Sequence, residues 1–246
     1  MSIKFYTLGT SHGATEPGRS CSVNLVEVDG SYYVFDCGGN IETKMKDLGM
    51  PFENLRAVFI SHMHEDHAGS LSAVVKRFSH YIKEERSVKI YMPEADGIEA
   101  FRAWLAALHT TKNLHRVGYE LIEAGEIYRD EKIAVTAIAT RHMQGGEYPS
   151  YAFVIEAEGK KLLYTGDLAA DFSDYPQVLL EEDFDLVVSE LVHFNLENNL
   201  DTIKKTRTKK LVFTHMNLKK AEIIRGIIDE FPFEVVVAND NDLFEP

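Results

Sequence analysis

The chain has 246 residues, of which 45% are hydrophobic, and a formal net charge of −13. This length fits one large α/β domain, and the charge disfavours nucleic acid, since proteins that bind it neutralise phosphates with clustered Lys and Arg. With only two cysteines, Cys21 and Cys37, the sequence excludes a disulfide framework and a cysteine-based zinc cluster.

The first half of the chain opens with strands. Apolar runs of the length and alternation typical of β-strands occur at residues 3–8, 22–28, 32–35 and 57–60. Asp29 and Gly30 predict a hairpin turn between the second and third strands. A short helix is predicted at 41–48, because Gly49 and Pro51 follow it.

Amphipathic helices follow, and strands then return. Apolar residues at the i, i+3, i+4, i+7 spacing predict helices at 71–82 and 98–108. Further strands are predicted at 133–139, 151–157, 161–164, 186–189, 211–213 and 233–237, with a helix at 219–228. Since no repeat or linker divides the chain, we expect a single domain over 1–246, an α/β fold with two sheets packed face to face and helices outside.

The densest chemical signal follows the strand at 57–60. Three histidines and the candidate ligand carboxylate of Asp66 lie within the segment Ser61-His62-Met63-His64-Glu65-Asp66-His67. Imidazole nitrogen and carboxylate oxygen are zinc ligands, and the spacing suits two adjacent cations, because one tetrahedral ion would leave some of these groups unused. The structural alternative is a packed histidine cluster without metal, which would carry desolvation and like-charge costs.

Three later residues share one context, directly after a β-like run. They are His142, Asp167 and His215. Each of them alone is more often a hydrogen-bonded structural residue than a ligand. Together, at strand ends where α/β folds place their sites, they indicate the remaining ligands.

With these residues the chain resembles the metallo-β-lactamase superfamily, whose signature is HxHxDH followed by a distant His, Asp and His. The resemblance covers essentially the whole chain and implies a four-layer αββα sandwich with the site at one edge. It also implies two divalent cations, zinc first and manganese or iron as alternatives. The implied ligands are His62, His64 and His142 for the first cation, Asp66, His67 and His215 for the second, and Asp167 as a bridge. Asp36, in Phe35-Asp36-Cys37-Gly38-Gly39, would orient a ligand histidine through a hydrogen bond.

Within the superfamily the chain resembles the phosphodiesterase branch, ribonuclease Z and its small relatives. One cue is the opening segment Phe5-Tyr6-Thr7-Leu8-Gly9-Thr10. Two departures count against a tRNA-processing enzyme. Only a short hairpin lies between His142 and Asp167, where that enzyme carries a long tRNA-gripping arm, and residues 36–40 lack its DxGEGTQ form. We therefore expect a small-molecule phosphoester substrate and consider nucleic acid unlikely.

The resemblance and the predicted ligands favour a phosphodiesterase that cleaves a small or cyclic phosphate ester. Two metals would lower the pKa of a shared water by several units towards neutrality, which gives a metal-activated hydroxide at neutral pH. Asp66 would also orient this nucleophile. His193 follows a predicted strand and is either a catalytic proton donor or a structural histidine. His12 and Arg19, in the glycine-rich first loop, are candidates for substrate contact.

Three alternatives remain open. One is a ribonuclease Z-like RNA endonuclease, and another is a non-catalytic sensor of the same fold that keeps its metals. An oxygen-reducing di-iron protein is disfavoured, because no flavin-binding domain follows the core. The sequence has neither an apolar run of about 18 residues nor a signal peptide at residues 1–6. We therefore expect a cytoplasmic protein without a membrane partner, and we leave a homodimer open.

Overall fold

The computed structural model describes residues 3–83 and 85–246, and its strands form two seven-stranded sheets. The first sheet contains, in chain order, β1 (Ile3–Gly9), β2 (Val23–Val28), β3 (Ser31–Cys37), β4 (Leu55–Phe59), β5 (Val88–Met92) and β6 (Val117–Leu121). The second sheet contains β7 (Gly125–Arg129), β8 (Ile133–Ala139), β9 (Tyr151–Ala157), β10 (Lys160–Tyr164), β11 (Leu186–Glu190), β12 (Lys210–Thr214) and β13 (Glu234–Val237). The last strand, β14 (Asp242–Phe244), returns to the first sheet and pairs antiparallel with β1.

Helices lie between the strands. The α-helices are α1 (Ile41–Asp47), α2 (Glu65–Ala68), α3 (Leu71–Lys76), α4 (Ala95–Ala107), α5 (Val178–Glu181), α6 (Leu196–Ile203) and α7 (Leu218–Ile227). Short 3-10 turns occupy Phe52–Asn54, Leu114–Arg116, Met143–Gly145 and Ile228–Glu230, and a π-helical turn occupies Arg77–Tyr81. None of the helices in the described part of the chain has the length and apolarity needed to cross a membrane.

Three hydrophobic cores define four layers. One core lies between the first sheet and helices α1, α3 and α4, and another lies between the second sheet and helices α5 to α7. The central core joins the two sheets and contains an aromatic cluster around Phe59, whose ring stacks 4.9 Å from both Phe35 and Tyr91 and lies 6.1 Å from Phe153. The predicted α/β class with an αββα sandwich is therefore confirmed.

Each sheet contains both parallel and antiparallel strands, and the parallel part decides where the site forms. Strands β3 to β6 pair in parallel in the first sheet, and β10 to β13 do so in the second. Parallel neighbours end at the same edge of a sheet, so the loops that follow them are brought together.

The structure corrects several predicted elements. Strands β5, β6, β7 and β14 were not predicted, and three of them lie at sheet edges, where partial exposure weakens the apolar pattern. The predicted helix at 71–82 is divided, because the chain widens from α3 into the π-helical turn. The helix predicted at 98–108 begins earlier, at Ala95.

Candidate metal centre

The loops that follow strands meet at one edge of the sandwich and bring the predicted ligands together. The loops after β4, β8, β10 and β12 carry these side chains, which are His62, His64, Asp66, His67, His142, Asp167 and His215. The distant residues His142, Asp167 and His215 therefore lie next to the histidines of residues 62–67, as the sequence predicts.

The first group consists of His62, His64, His142 and Asp167, whose ligand atoms lie within 4.8 Å of one another. His64 Nδ1 lies 2.9 Å from His62 Nε2 and 3.3 Å from His142 Nε2. His62 is buried and His64 is exposed. This group therefore opens to solvent on the side of His64.

The second group consists of Asp66, His67 and His215, and its ligand atoms also lie within 4.8 Å of one another. Asp66 Oδ2 lies 3.6 Å from His67 Nε2 and 3.8 Å from His215 Nε2. Both rings are buried, whereas the side chain of Asp66 is 14% exposed. Asp66 is thus the member of this group nearest to solvent.

Asp167 lies between the two groups. Its Oδ2 atom is 3.3 Å from His67 Nε2 in the second group and 3.7 Å from His142 Nε2 in the first. The preceding residue, Gly166, has φ +55, and a Cβ there would lie 2.8 Å from that of Ser61. Glycine is therefore required for the tight turn that brings Asp167 to the centre.

The second ring nitrogen of two histidines is held by protein oxygen atoms. His67 Nδ1 lies 2.7 Å from Asp36 Oδ2, and His142 Nδ1 lies 3.1 Å from the carbonyl oxygen of Leu168. Because ionised carboxylates and carbonyls only accept hydrogen bonds, each Nδ1 carries a proton, and Nε2 is the ring nitrogen left to face a cation. Asp36 thus occupies the orienting position that the resemblance implies.

Asp36 also accepts hydrogen bonds from the other strands around it. The backbone N and the Oγ of Ser61 donate at 2.7 and 2.8 Å, and the hydroxyl of Tyr164 donates at 2.6 Å. Asp36 has φ 62, a conformation that costs a non-glycine residue about 1–3 kcal/mol and is held by surrounding contacts. The sequence did not predict Ser61 and Tyr164 as partners, since both belong to buried, largely apolar segments.

The buried charges at the centre favour a cation. Burial raises the pKa of Asp167, but the neighbouring His215 and His67 lower it well below its usual value. Burial lowers the pKa of His67, but the carboxylates of Asp167 and Asp36 raise it well above its usual value. A field that holds a proton on a buried imidazole is also one that stabilises a metal cation.

The residues present fit divalent cations. Two buried atoms at the centre, His67 Nε2 and Asp167 Oδ1, have no hydrogen-bond partner among the described residues. A cation satisfies an imidazole lone pair and a carboxylate oxygen at once, which offsets the cost of burying them. Sites of mixed imidazole and carboxylate ligands suit zinc, manganese and iron.

His193 lies at the same edge, between the groups and the solvent. Its Nδ1 is 3.2 Å from Glu190 Oε1 and 3.6 Å from Asp167 Oδ2, and its ring centroid is 4.5 Å from that of His142. Burial lowers the pKa of His193, but the hydrogen bond that its ring donates to Glu190 and the charge of Asp167 raise this pKa above its usual value. The side chain is 30% exposed, so the ring can reach a bound molecule.

Glu190 is a site residue that the sequence analysis missed. Its buried carboxylate accepts hydrogen bonds from the backbone N of Leu168 at 3.1 Å, of Val192 at 2.5 Å and of His193 at 3.0 Å. It therefore fixes both the loop of Asp167 and the loop of His193. The available signal was a carboxylate that ends an apolar strand, which is the context shared by the later ligands.

The glycine-rich first loop, residues 10–22 between β1 and β2, lies over the second group. A Cβ placed at Gly13 would lie 3.2 Å from Asp66 Oδ2, so the loop lies directly against this carboxylate. His12 is partly exposed, and its Nδ1 accepts a hydrogen bond from the backbone N of Ala14 at 3.4 Å. The predicted contact of His12 with substrate stays a prediction.

Arg19 is the other candidate for substrate contact, and that contact stays a prediction. Its guanidinium donates to Thr10, to the carboxylate of Glu16 and to the carbonyl oxygen of Met216. The side chain is only 12% exposed. Its donors therefore face protein oxygen atoms, and the structure places Arg19 as a brace between two loops.

Comparisons with known proteins agree with this fold. The family described as anti-Pycsar protein Apyc1 matches residues 3–228. A ribonuclease Z from Shouchella clausii (strain KSM-K16) is 30% identical over 163 residues, which covers 64% of this chain and 49% of the relative. The metallo-β-lactamase fold protein YhfI from Bacillus subtilis superposes with a TM-score of 0.80 at 20% identity, covering 100% of both chains. The short form of human tRNase Z superposes with a TM-score of 0.76 at 21% identity, covering 98% of both chains.

These matches confirm the predicted metallo-β-lactamase fold and the resemblance to ribonuclease Z. The chain spans about half the length of the first curated relatives it matches. The expectation that nucleic acid is an unlikely partner is not borne out, because these relatives are named ribonuclease Z and tRNase Z.

Proposed function

This chain belongs to the family described as anti-Pycsar protein Apyc1, and we propose that it is a metal-dependent phosphodiesterase that hydrolyses a small or cyclic phosphate ester. We also propose that residues 1–246 act as one domain. The cytoplasmic location and the homodimer stay predictions.

One observation carries the proposal, namely two groups of candidate ligand atoms with the buried carboxylate of Asp167 between them, 3.3 Å from His67 Nε2 and 3.7 Å from His142 Nε2. We assign His62, His64 and His142 to one cation, Asp66, His67 and His215 to a second, and Asp167 to both. Zinc is the first choice, with manganese or iron as alternatives. When bound, two such cations acidify water and offset the negative charge that develops on a phosphoryl group.

The chain's own residues then supply orientation and a proton. The partly exposed carboxylate of Asp66 accepts a hydrogen bond from the attacking water and orients it towards phosphorus. The Nδ1 of His193 is held by Glu190, so its Nε2 is the atom available to protonate the leaving oxygen. Glu190 keeps this ring aligned through its bonds to the backbone of the same loop.

The surface supports a small substrate. The segment between His142 and Asp167 contains only a short turn and the β9–β10 hairpin, and no long arm. The basic run at 204–210 is largely neutralised on the surface, where Lys204 pairs with Glu230, and Arg207 with Asp183. Its other ion pairs are Lys209 with Asp185 and Lys210 with Glu234. Three lysines and one arginine of this run are therefore paired with acidic side chains.

The test is a substrate panel on protein loaded with zinc or manganese. We expect turnover of bis-p-nitrophenyl phosphate and of cyclic mononucleotides, and no turnover of nitrocefin or thioesters. Removal of metal by a chelator should abolish the turnover, and re-addition of the cation should restore it. Hydrolysis of nitrocefin or thioesters without phosphodiester turnover would refute the proposal.

A second candidate function is a ribonuclease Z-like RNA endonuclease, which the name of the curated relatives favours. A precursor tRNA included in the panel separates the two functions. Cleavage of the RNA with no turnover of small esters would establish the endonuclease. Absence of all turnover in a protein that binds metal would instead indicate a sensor.

The role of His193 has its own test. His193→Ala should lower kcat/KM about 10²–10⁴-fold for a cyclic mononucleotide, because its alkoxide leaving group needs a proton. The same variant should leave bis-p-nitrophenyl phosphate turnover nearly unchanged, since p-nitrophenolate departs without one. The measurement is kcat/KM for both esters.

The matched control is His115→Ala, which removes an exposed histidine outside the site. This variant should alter neither rate. An equal loss for both esters in His193→Ala would assign His193 to phosphate binding or to structure, and unchanged rates would remove it from the site.

A further inference from the structure

The brace formed by Arg19 connects the first loop to the end of β12. Its Nη2 donates to the carbonyl oxygen of Thr10 at 2.5 Å, and its Nη1 donates to the carbonyl oxygen of Met216 at 2.6 Å. The same Nη1 pairs with Glu16 at 2.8 Å, and Glu16 accepts a hydrogen bond from the backbone N of Leu218 at 3.1 Å. Residues 216 and 218 are therefore held from the first loop.

The first loop is itself anchored at both ends by Asp240. Its carboxylate accepts hydrogen bonds from the backbone N of Thr10 at 2.9 Å and from that of Ser20 at 2.8 Å. Lys44 pairs with it at 2.8 Å, and the carboxylate is only 8% exposed. Because both ends of the loop are fixed, the backbone that carries Arg19 is held in place, and its guanidinium can restrain residue 216.

The residue next to this brace is His215, which differs from the other buried histidines of the site. The Nδ1 atoms of His67 and His142 have oxygen partners, and that of His62 lies 3.0 Å from Ser61 Oγ. The Nδ1 atom of His215 is buried and has no hydrogen-bond partner within the described chain. Its ring is therefore not oriented by a side-chain hydrogen bond.

The backbone must then orient His215. This residue has φ 45, in the left-handed region that side chains other than glycine rarely adopt. Two backbone bonds flank it, from Met216 N to Thr10 O at 3.3 Å and from Leu191 N to His215 O at 3.4 Å. Both are long, whereas the bond from Arg19 to the carbonyl oxygen of Met216 is short and charge-assisted.

We propose that Arg19 is a positioning residue for His215, which it holds through the backbone of Met216 in place of the usual hydrogen bond to Nδ1. The proposal rests on the metal centre of the proposed function. Arg19 thereby increases the affinity for the cation that Asp66, His67 and His215 would hold.

The test measures cation binding, without reference to turnover. Apo-protein is titrated with Zn²⁺ against a chromophoric chelator for the parent chain, Arg19→Met, His215→Ala and the double variant. We expect Arg19→Met to weaken one binding step about 10–100-fold, as loss of an orienting partner does, and to leave the other unchanged. The double variant should bind no more weakly than His215→Ala alone.

Two further variants complete the design. Arg207→Met removes an exposed arginine that pairs with Asp183 on the surface. This variant should bind Zn²⁺ with the affinity of the parent chain. Arg19→Lys keeps the positive charge on a single donor nitrogen and should recover part of the lost affinity. If Arg19→Met does not fold, the cycle of Arg19→Lys with His215→Ala decides in the same way.

Three outcomes would each overturn the proposal. The Arg19 variants could bind Zn²⁺ with unchanged affinity, or every binding step could weaken equally. The double variant could also lose affinity by the product of the two single losses. All three outcomes are read from Zn²⁺ affinity and do not depend on phosphodiester hydrolysis. A protein that binds Zn²⁺ as expected but hydrolyses no phosphodiester would refute the proposed function and leave the role of Arg19 standing.

Discussion

Asp167→Ala is expected to abolish phosphodiester hydrolysis, with a loss of kcat/KM on the order of 10³-fold or more. Its carboxylate lies between the two groups of candidate ligand atoms, and its Oδ2 lies 3.4 Å from His215 Nε2 and 3.6 Å from His62 Nε2. Metal ions contribute several kcal/mol of transition-state stabilisation, and each loss of about 1.4 kcal/mol is a tenfold loss in rate.

The measurement pairs bis-p-nitrophenyl phosphate turnover with metal content per protein chain. Asp167→Asn should lose activity as well, because the amide keeps the shape but not the negative charge that holds the cations. The control is Asp201→Asn, which neutralises an exposed carboxylate on α6 and should keep full activity and metal content. An Asp167→Ala protein with parental turnover would exclude the proposed centre.

Phe59→Ala should cost about 3–5 kcal/mol of unfolding free energy, the range for removing a buried phenylalanine. Phe59 is fully buried between the two sheets. Its ring contacts Phe35 in its own sheet and Phe153 and Tyr128 in the opposite sheet. The substitution opens a cavity where the sheets meet, and the surrounding rings cannot close it without moving both sheets.

Urea unfolding at equilibrium measures this effect. Phe59→Leu should cost less, because leucine fills most of the volume. Trp104→Ala provides the control, since this side chain is 56% exposed on α4 and its loss should change the free energy of unfolding by about 0.5 kcal/mol or less. A Phe59→Ala protein as stable as the Trp104→Ala protein would show that the intersheet cluster does not hold the layers together.

Strands β8 and β9 of the central core were predictable because their residues are buried along most of their length. Strands β8 and β9 occupy the same residues as predicted, 133–139 and 151–157. Strand β6, by contrast, lies at a sheet edge and is partly exposed. Its sequence lacks a clear apolar pattern, and the strand was not predicted. Pairing with a neighbour in the sheet, which no local pattern encodes, makes such a segment a strand.

The candidate ligands were predictable for a related reason. A cation needs several imidazole and carboxylate groups, so His62, His64 and their neighbours form a dense motif at the end of a strand. Asp167 and His215 could be added because each ends an apolar run, and parallel strands bring such ends to one edge.

The sequence by itself therefore determined the layered fold and the candidate ligands of the metal centre, since burial and ligand chemistry restrict residue types locally. Only the tertiary structure decided how these residues are held. Glu190, Tyr164 and Asp240 act through hydrogen bonds to residues more than 20 positions away or to backbone atoms, and Arg19 reaches the backbone of Met216, 197 positions away. Such contacts depend on where the chain returns in space, and a carboxylate or guanidinium within a loop leaves no periodic signal of the partner it will meet.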